Sequence, residues 1–157
     1  MIEIERKFLI NSVAYKEEAF THENIAQGFL NTHPARTVRV RITGDTAFLT
    51  IKGKSNTAGT TRFEWESKIK VEDAQELLKL CEEGILVKTR YKVKVENHIF
   101  EVDEFHGANE GLTVAEVELK EEGEAFKKPV WLGTEVTGDI RYYNSQLSKK
   151  PYKNWKS

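Results

Sequence analysis

The stretch MIEIERK, residues 1–7, places Glu3, Glu5 and Lys7 at alternate positions. Because successive side chains of a β-strand point to opposite faces, an extended chain here turns two carboxylates and one ammonium to the same side. The apolar residues between them turn to the other side. The stretch therefore predicts a strand with one ionic face and one apolar face.

Charged and polar side chains recur at every second position in most later segments. In chain order these are TVRVRI with Arg39 and Arg41, LTIKG with Thr50 and Lys52, RFEWE with Arg62, Glu64 and Glu66, VKTRYKVKV with Lys88, Arg90, Lys92 and Lys94, FEVDEF with Glu101 and Asp103, and AEVEL with Glu116 and Glu118. Acidic blocks open and close the series and basic blocks fill its middle. Blocks of one sign predict a single ionic surface assembled from many strands.

The composition is typical of one ion-rich globular domain. The 157 residues are 39% hydrophobic and 31% charged, with a net charge of −1, which argues against a protein that coats duplex nucleic acid through bulk charge. A lone cysteine, Cys81, cannot form an internal disulfide. Neither a signal-peptide pattern nor an apolar run of about 20 residues is visible. We expect a single domain over residues 1–157, located in the cytoplasm and without a membrane partner.

The periodicity predicts a mainly β (α+β) fold. Strands are expected near residues 2–10, 25–32, 36–43, 46–53, 61–69, 86–95, 98–105 and 112–120. A helix is expected over residues 71–84, with shorter ones after Ser12 and near Asp139. Two architectures fit many short antiparallel strands: an open sheet or sandwich with its ionic face in water, or a closed barrel with that face inside.

The charge pattern suits a linear polyanion. Arginines offer forked donors to phosphate oxygens and lysines offer point charges, and a triphosphate needs more of both than a single phosphate does. Carboxylates in a phosphate site repel the substrate unless a cation bridges them, so the glutamates predict Mg²⁺ or Mn²⁺. The candidate cations are Arg39, Arg41, Arg62, Arg90, Lys7, Lys52, Lys88, Lys92 and Lys94, and the candidate metal ligands are Glu3, Glu5, Glu116 and Glu118. The competing interpretation is that these acids and bases pair across strands as structural salt bridges.

Taken in order, the segments resemble the CYTH proteins, also called triphosphate tunnel metalloenzymes. Glu3-Ile4-Glu5-Arg6-Lys7 is similar to the E-x-E-x-K signature of that family. The further similarities are Gln27-Gly28-Phe29-Leu30 to Q-G-Y-L, Arg39-Val40-Arg41 to R-x-R, Thr50-Ile51-Lys52 to T-x-K, then RFEWE (62–66), KTRY (88–91), VDEF (102–105), EVE (116–118) and the closing EVTGD (135–139) with Tyr142 and Asn144. The resemblance thus spans nearly the whole chain.

The resemblance implies a closed eight-stranded antiparallel β-barrel around a hydrated tunnel, with a few flanking helices. It implies divalent-metal-dependent hydrolysis of inorganic triphosphate, as in the small bacterial inorganic triphosphatases, by a monomer or homodimer. Adenylate cyclase, nucleoside triphosphatase or thiamine triphosphatase activity, or non-catalytic binding of polyphosphate or nucleotide, are the alternatives. By resemblance, the triphosphate ligands are Lys7, Arg39, Arg41, Lys52, Arg62, Lys88 and Arg90, and the metal ligands are Glu3, Glu5, Glu116 and Glu118.

One position departs from the family pattern. The tyrosine of Q-G-Y-L, proposed in some members to form a catalytic dyad with the lysine of E-x-E-x-K, is replaced here by Phe29, which has no hydroxyl. A mechanism in which metal ions orient the triphosphate and activate a water needs no tyrosine. The candidate catalytic residues are Lys7 together with Glu5, Glu64 and Asp103, one of the acids accepting the proton of the water.

The C-terminal segment offers a further cation. If Asp139 begins a helix that plugs the tunnel, then Arg141 or Lys149 would add a late cation to the triphosphate site.

Overall fold

The computed structural model describes residues 1–155. The strands in this range are β1 (Ile2–Ile10), β2 (Thr21–Asn31), β3 (Arg36–Thr43), β4 (Thr46–Gly53), β5 (Thr61–Ile69), β6 (Leu86–Val95), β7 (His98–Phe105), β8 (Thr113–Glu118) and β9 (Leu132–Glu135). The helices are α1 (Tyr15–Glu18), α2 (Val71–Leu80) and α3 (Asn144–Leu147), with 3₁₀ turns at Gly107–Asn109, Ile140–Tyr142 and Tyr152–Asn154. Across residues 1–155, no helix is both long enough and apolar enough to span a membrane.

The strands form a closed antiparallel barrel. Neighbours pair in the order β5-β4-β3-β2-β6-β7-β8-β1, and β1 returns to pair with β5. Along one edge of β1, Ile2–Ile4 pair with β5, whereas Phe8 and Ile10 pair with β9. Along its other edge, residues 5–8 pair with β8. The closed barrel is therefore confirmed, and the open sheet is excluded.

Most strand predictions hold, and the deviations have local causes. β2 begins at Thr21 because residues 21–24 pair with β6 although they lack alternation. The sequence does not predict β9, since the four residues LGTE carry too short a pattern. α2 ends at Leu80, before the expected glycine. Near Asp139 the chain forms a 3₁₀ turn, in which the Asp139 carboxylate accepts a hydrogen bond from the Arg141 backbone N–H, and α3 begins only at Asn144.

The apolar core lies largely outside the barrel wall. One cluster joins β1, β7 and β8 to α1 and to the segment before β9, where Trp131 packs between Tyr15 and Phe100. A second lies under α2, where Ala74 meets Val40 and Ala47. The third surrounds the C-terminal segment and contains Phe29, Leu86, Phe105, Leu112, Val114, Tyr142 and Leu147. Because the helices and loops bury the apolar faces, the inner face is left to charged residues.

Candidate functional site

The inner face of the barrel lines a cavity of about 250 Å³. Its charged lining comes from β1 and β3 to β8. The cations are Lys7, Arg39, Arg41, Lys52, Arg62, Lys88 and Arg90, and the acids are Glu3, Glu5, Glu64, Glu66, Glu101, Glu116 and Glu118. The structure thus brings together all the cations implied by the family resemblance, and equal numbers of positive and negative side chains line the lumen.

Strand register sets which charges face each other. Glu3 lies opposite Arg62 across the β1–β5 closure, and Lys7 lies opposite Glu116 across β1–β8. Glu5 lies opposite Glu118, so two carboxylates occupy a directly paired position. Like charges placed this way destabilise a sheet unless something compensates them.

Several charges form ion pairs across strands. Lys52 Nζ lies 3.0 Å from Glu3 and 3.3 Å from Glu64, and Arg62 Nε lies 3.4 Å from Glu3. Although burial raises the pKa of Glu3, the charge of Lys52, the hydrogen bond with Glu64 and the charge of Arg62 lower it to about 2. The salt bridges of the competing interpretation are therefore present, and they coexist with an internal cavity.

Two arginines on β3 keep unused donors. Glu66 is their ion-pair partner at longer distances, 3.7 Å from Arg39 and 3.6 Å from Arg41. Among residues 1–155, neither buried Nε atom of these arginines has a hydrogen-bond acceptor. Burial and repulsion by Arg41 and Arg90 lower the pKa of Arg39 to about 10. Buried donors without acceptors are costly, and an anion in the lumen would satisfy them.

The Asp103 carboxylate is paired with two buried cations. Its carboxylate accepts bonds of 2.8 and 3.0 Å from Arg90 and lies 2.8 Å from Lys88 Nζ. Burial would raise the pKa of Asp103, but Arg90 and Lys88 lower it to about 2. A carboxylate held by two cations and only 2% exposed is a poor proton acceptor. This geometry argues against Asp103 as the catalytic base.

The pKa values of Glu5 on β1 and Glu116 on β8, which are both partly buried, shift in opposite directions. Burial, then Glu116 and Glu3, raise the pKa of Glu5 well above its usual value. Burial raises the pKa of Glu116 as well. The charge of Lys7, a hydrogen bond with Glu5 and the charge of Arg90 outweigh burial and bring this pKa well below the usual value. Among residues 1–155, no three acidic, histidine or cysteine side chains converge into a preformed metal cage. Clustered carboxylates are nevertheless the hard oxygen donors that divalent cations prefer, and a cation would relieve their repulsion, so the donor set fits Mg²⁺ or Mn²⁺.

The C-terminal segment supplies lining residues to which the sequence assigned no role in the site. Tyr143, Asn144 and Ser145 face the lumen beside Phe29. Lys7 Nζ lies 5.0 Å from the centre of the Tyr143 ring, so an aromatic hydroxyl side chain neighbours Lys7 although Phe29 cannot supply one. The motif similarity pointed to the flanking Tyr142, which is buried in the third apolar cluster instead. No periodicity marks Tyr143, because it lies in a turn between two short helices.

Three predicted cations lie outside the lumen. Arg141 is paired with Asp139 at 2.7 Å, its side chain is 63% exposed, and it contacts the rings of Tyr142 and Trp155, so the expected late cation is not delivered. Lys92 pairs with Glu23 at 3.5 Å, and Lys94 is exposed. Lys92 and Lys94, towards the end of β6, therefore lie away from the cavity.

The chain is similar to proteins of known activity. The CYTH domain model matches residues 1–151. An inorganic triphosphatase of Acetivibrio thermocellus is 48% identical over 98% of this chain and 97% of its own length, and one of Nitrosomonas europaea is 35% identical over 94% and 97%. A crystal structure of an inorganic triphosphatase superposes with a TM-score of 0.66 at 34% identity, covering 93% of this chain and 97% of the other.

Proposed function

Because this chain belongs to the CYTH domain family, we propose that it hydrolyses inorganic triphosphate to pyrophosphate and phosphate inside the barrel. The observation that carries the proposal is the pair of buried arginine Nε donors on β3, which lack acceptors among residues 1–155. Both arginines face a lumen whose other cations lie on the surrounding strands. Such an array matches a chain of phosphates better than a single one.

Charge balance supports a requirement for divalent metal. The lumen holds as many acids as bases, so its side chains alone do not neutralise a polyanion. We propose that Glu3, Glu5, Glu116 and Glu118 hold Mg²⁺ or Mn²⁺, and the raised pKa of Glu5 marks a carboxylate that lacks a full counter-charge. A bound divalent cation would polarise phosphate oxygens and lower the pKa of a water.

The side chains of the lumen divide the remaining roles. Arg39 and Arg41 bind phosphate oxygens with their free Nε donors, and Lys52 and Arg62 add charge from the adjoining strands β4 and β5. Lys7, held by Glu5 at 3.9 Å and Glu116 at 3.7 Å, stays an ammonium, since these acids outweigh burial and raise its pKa. These cations stabilise the charge that develops on the pyrophosphate leaving group.

Glu64 is the proposed acceptor of the water's proton. It lines the lumen on β5, its side chain is 26% exposed, and its nearest cation is Lys52 at 3.3 Å. It lies outside the proposed metal ligands, whereas Glu5 is one of them. Among the three candidate bases, Glu64 is therefore the one that has access to water and is not a proposed metal ligand, and burial and its hydrogen bond with Glu3 raise its pKa.

A second candidate function is hydrolysis of an organic triphosphate. A neighbouring cavity of about 350 Å³ shares Arg62 and Tyr143 with the lumen and adds the apolar side chains of Pro34 and Ile140. It offers room for a group attached to the terminal phosphate.

Phosphate release separates these activities. We would measure it for inorganic triphosphate, ATP and thiamine triphosphate, with Mg²⁺, with Mn²⁺ and with a chelator, on protein that carries no tag beside Glu3. The proposal predicts fast, metal-dependent release from inorganic triphosphate. Arg39→Gln is expected to raise KM by about tenfold or more, since it removes a charge-assisted contact. Faster release from ATP would favour the second candidate, and triphosphate binding without turnover in either metal would refute both.

A further inference from the structure

The side chain of Asn144 lines the lumen and is hydrogen-bonded to two buried residues. Its Oδ1 atom accepts hydrogen bonds from Lys88 Nζ at 2.9 Å and from Gln27 Nε2 at 2.7 Å. Lys88 is 1% exposed and Gln27 is fully buried. Asn144 itself is only partly buried and lines the lumen.

Lys88 fixes which end of the Asn144 amide faces the lumen. An ammonium has donors and no acceptor, so the atom it contacts must be the oxygen. The NH₂ group is then forced to the opposite side. Within residues 1–155, Nδ2 has no hydrogen-bond acceptor, yet it is not among the solvent-inaccessible unpaired atoms, so it reaches the solvent of the cavity.

The orientation of the Asn144 amide explains why one buried atom of Gln27 has no hydrogen-bond partner among residues 1–155. Because its Nε2 donates to Asn144, its own Oε1 is left buried without a partner among residues 1–155. An unpaired buried carbonyl is unfavourable. The amide of Gln27 nevertheless donates to the same oxygen as Lys88, so two donors hold the amide plane of Asn144.

We propose that Asn144 is a substrate-binding residue whose NH₂ group donates to a phosphate oxygen of the triphosphate, and that Gln27 and Lys88 are positioning residues for it. The inference rests on the proposed function, since it takes the polyanion of the lumen as its ligand. A neutral donor suits this place because Lys88 already supplies the positive charge behind it. The C-terminal segment thereby becomes part of the substrate site as well as a cover for the barrel.

Asn144→Asp tests this with little change of shape. The carboxylate keeps an oxygen for Lys88 and Gln27 and replaces the lumen-facing donor by an acceptor. We expect the Kd for inorganic triphosphate, measured by calorimetry in EDTA, to rise by about tenfold or more. The melting temperature without ligand should not fall, because a carboxylate pairs with Lys88 at least as well as an amide does.

Asn154→Asp is the matched control. Asn154 is exposed in the same C-terminal segment, so the variant adds the same charge away from the lumen. Its Kd should stay within about twofold of that of the unmodified protein. An equal loss in both variants would attribute the effect to net charge and overturn the inference, as would an unchanged Kd for Asn144→Asp.

A nuclear magnetic resonance measurement avoids any dependence on a variant that folds poorly. In the unmodified protein, the side-chain NH₂ resonances of Asn144 should move on saturation with inorganic triphosphate. Unmoved resonances in a protein that binds triphosphate would overturn this inference alone. If the unmodified protein bound no triphosphate, the proposed function would fail with it.

Discussion

Asp103→Asn should destabilise the protein strongly and make its stability depend on triphosphate. The substitution removes the counter-charge of two buried cations, Lys88 at 2.8 Å and Arg90 at 2.8 Å. Breaking a buried pair on one side costs about 3–5 kcal/mol. Burial already lowers the pKa of Lys88 to about 8, so in the variant Lys88 can shed its charge. This relief favours the lower end of that cost, a loss of about 3 kcal/mol in the free energy of unfolding. For a chain of this length the loss corresponds to a fall of roughly 6–12 °C in melting temperature.

Thermal unfolding followed by circular dichroism, with and without inorganic triphosphate in EDTA, measures the effect. The anion supplies negative charge beside the uncompensated cations, so the ligand should raise the melting temperature more in the variant than in the unmodified protein. Asp139→Asn is the matched control. Asp139 pairs with the exposed Arg141, and an ion pair in water contributes little to stability. If Asp103→Asn melted within about 2 °C of the control, the assignment of Asp103 as a structural counter-charge would be wrong.

Three further outcomes follow from the site. Glu64→Gln should lower kcat by about 100-fold or more while leaving the Kd for triphosphate nearly unchanged, and steady-state kinetics that showed full kcat would exclude Glu64 as the base. Triphosphate affinity should fall as the pH rises above about 8, because Lys88 then loses its positive charge. The variant Lys88→Arg should keep its affinity over the same pH range. If both proteins lost affinity equally with rising pH, Lys88 would not be the group responsible. Arg141→Ala should leave kcat/KM within about twofold, since its side chain lies outside the lumen, and a large loss would return Arg141 to the substrate site.

The strand pattern of the sequence carries most of the fold. Alternation in β1 and β3 to β7 predicts their bounds closely because each has one ionic face and one apolar face. Closure itself did not follow from alternation, which fits an open sheet equally well. Closure depends on β1 pairing with both β5 and β8. The family resemblance implied the closed barrel, but not these pairings.

The site was predictable where it lies on strands and less so elsewhere. Lys7, Arg39 and Lys52 reach the lumen because strand periodicity dictates the face. Asp103 shares that periodicity, yet its partners on β6 decide its role, and pairing partners are not visible in one sequence. Tyr143 lies in a turn and Asn144 begins the four-residue helix α3, so no strand period applies to either. The single domain over residues 1–157, the cytoplasmic location and the oligomeric state stay predictions.

The position of β1 has a consequence for biosynthesis. This strand precedes the other strands of the barrel in the chain, yet its partner β8 ends only at Glu118. At usual rates of translation, β1 therefore waits on the order of ten seconds before the ring can close. An unpaired strand is an aggregation hazard during such a delay, and charges at alternate positions are a common protection against it. Glu3, Glu5 and Lys7 would thus protect the nascent chain from aggregation before the barrel closes.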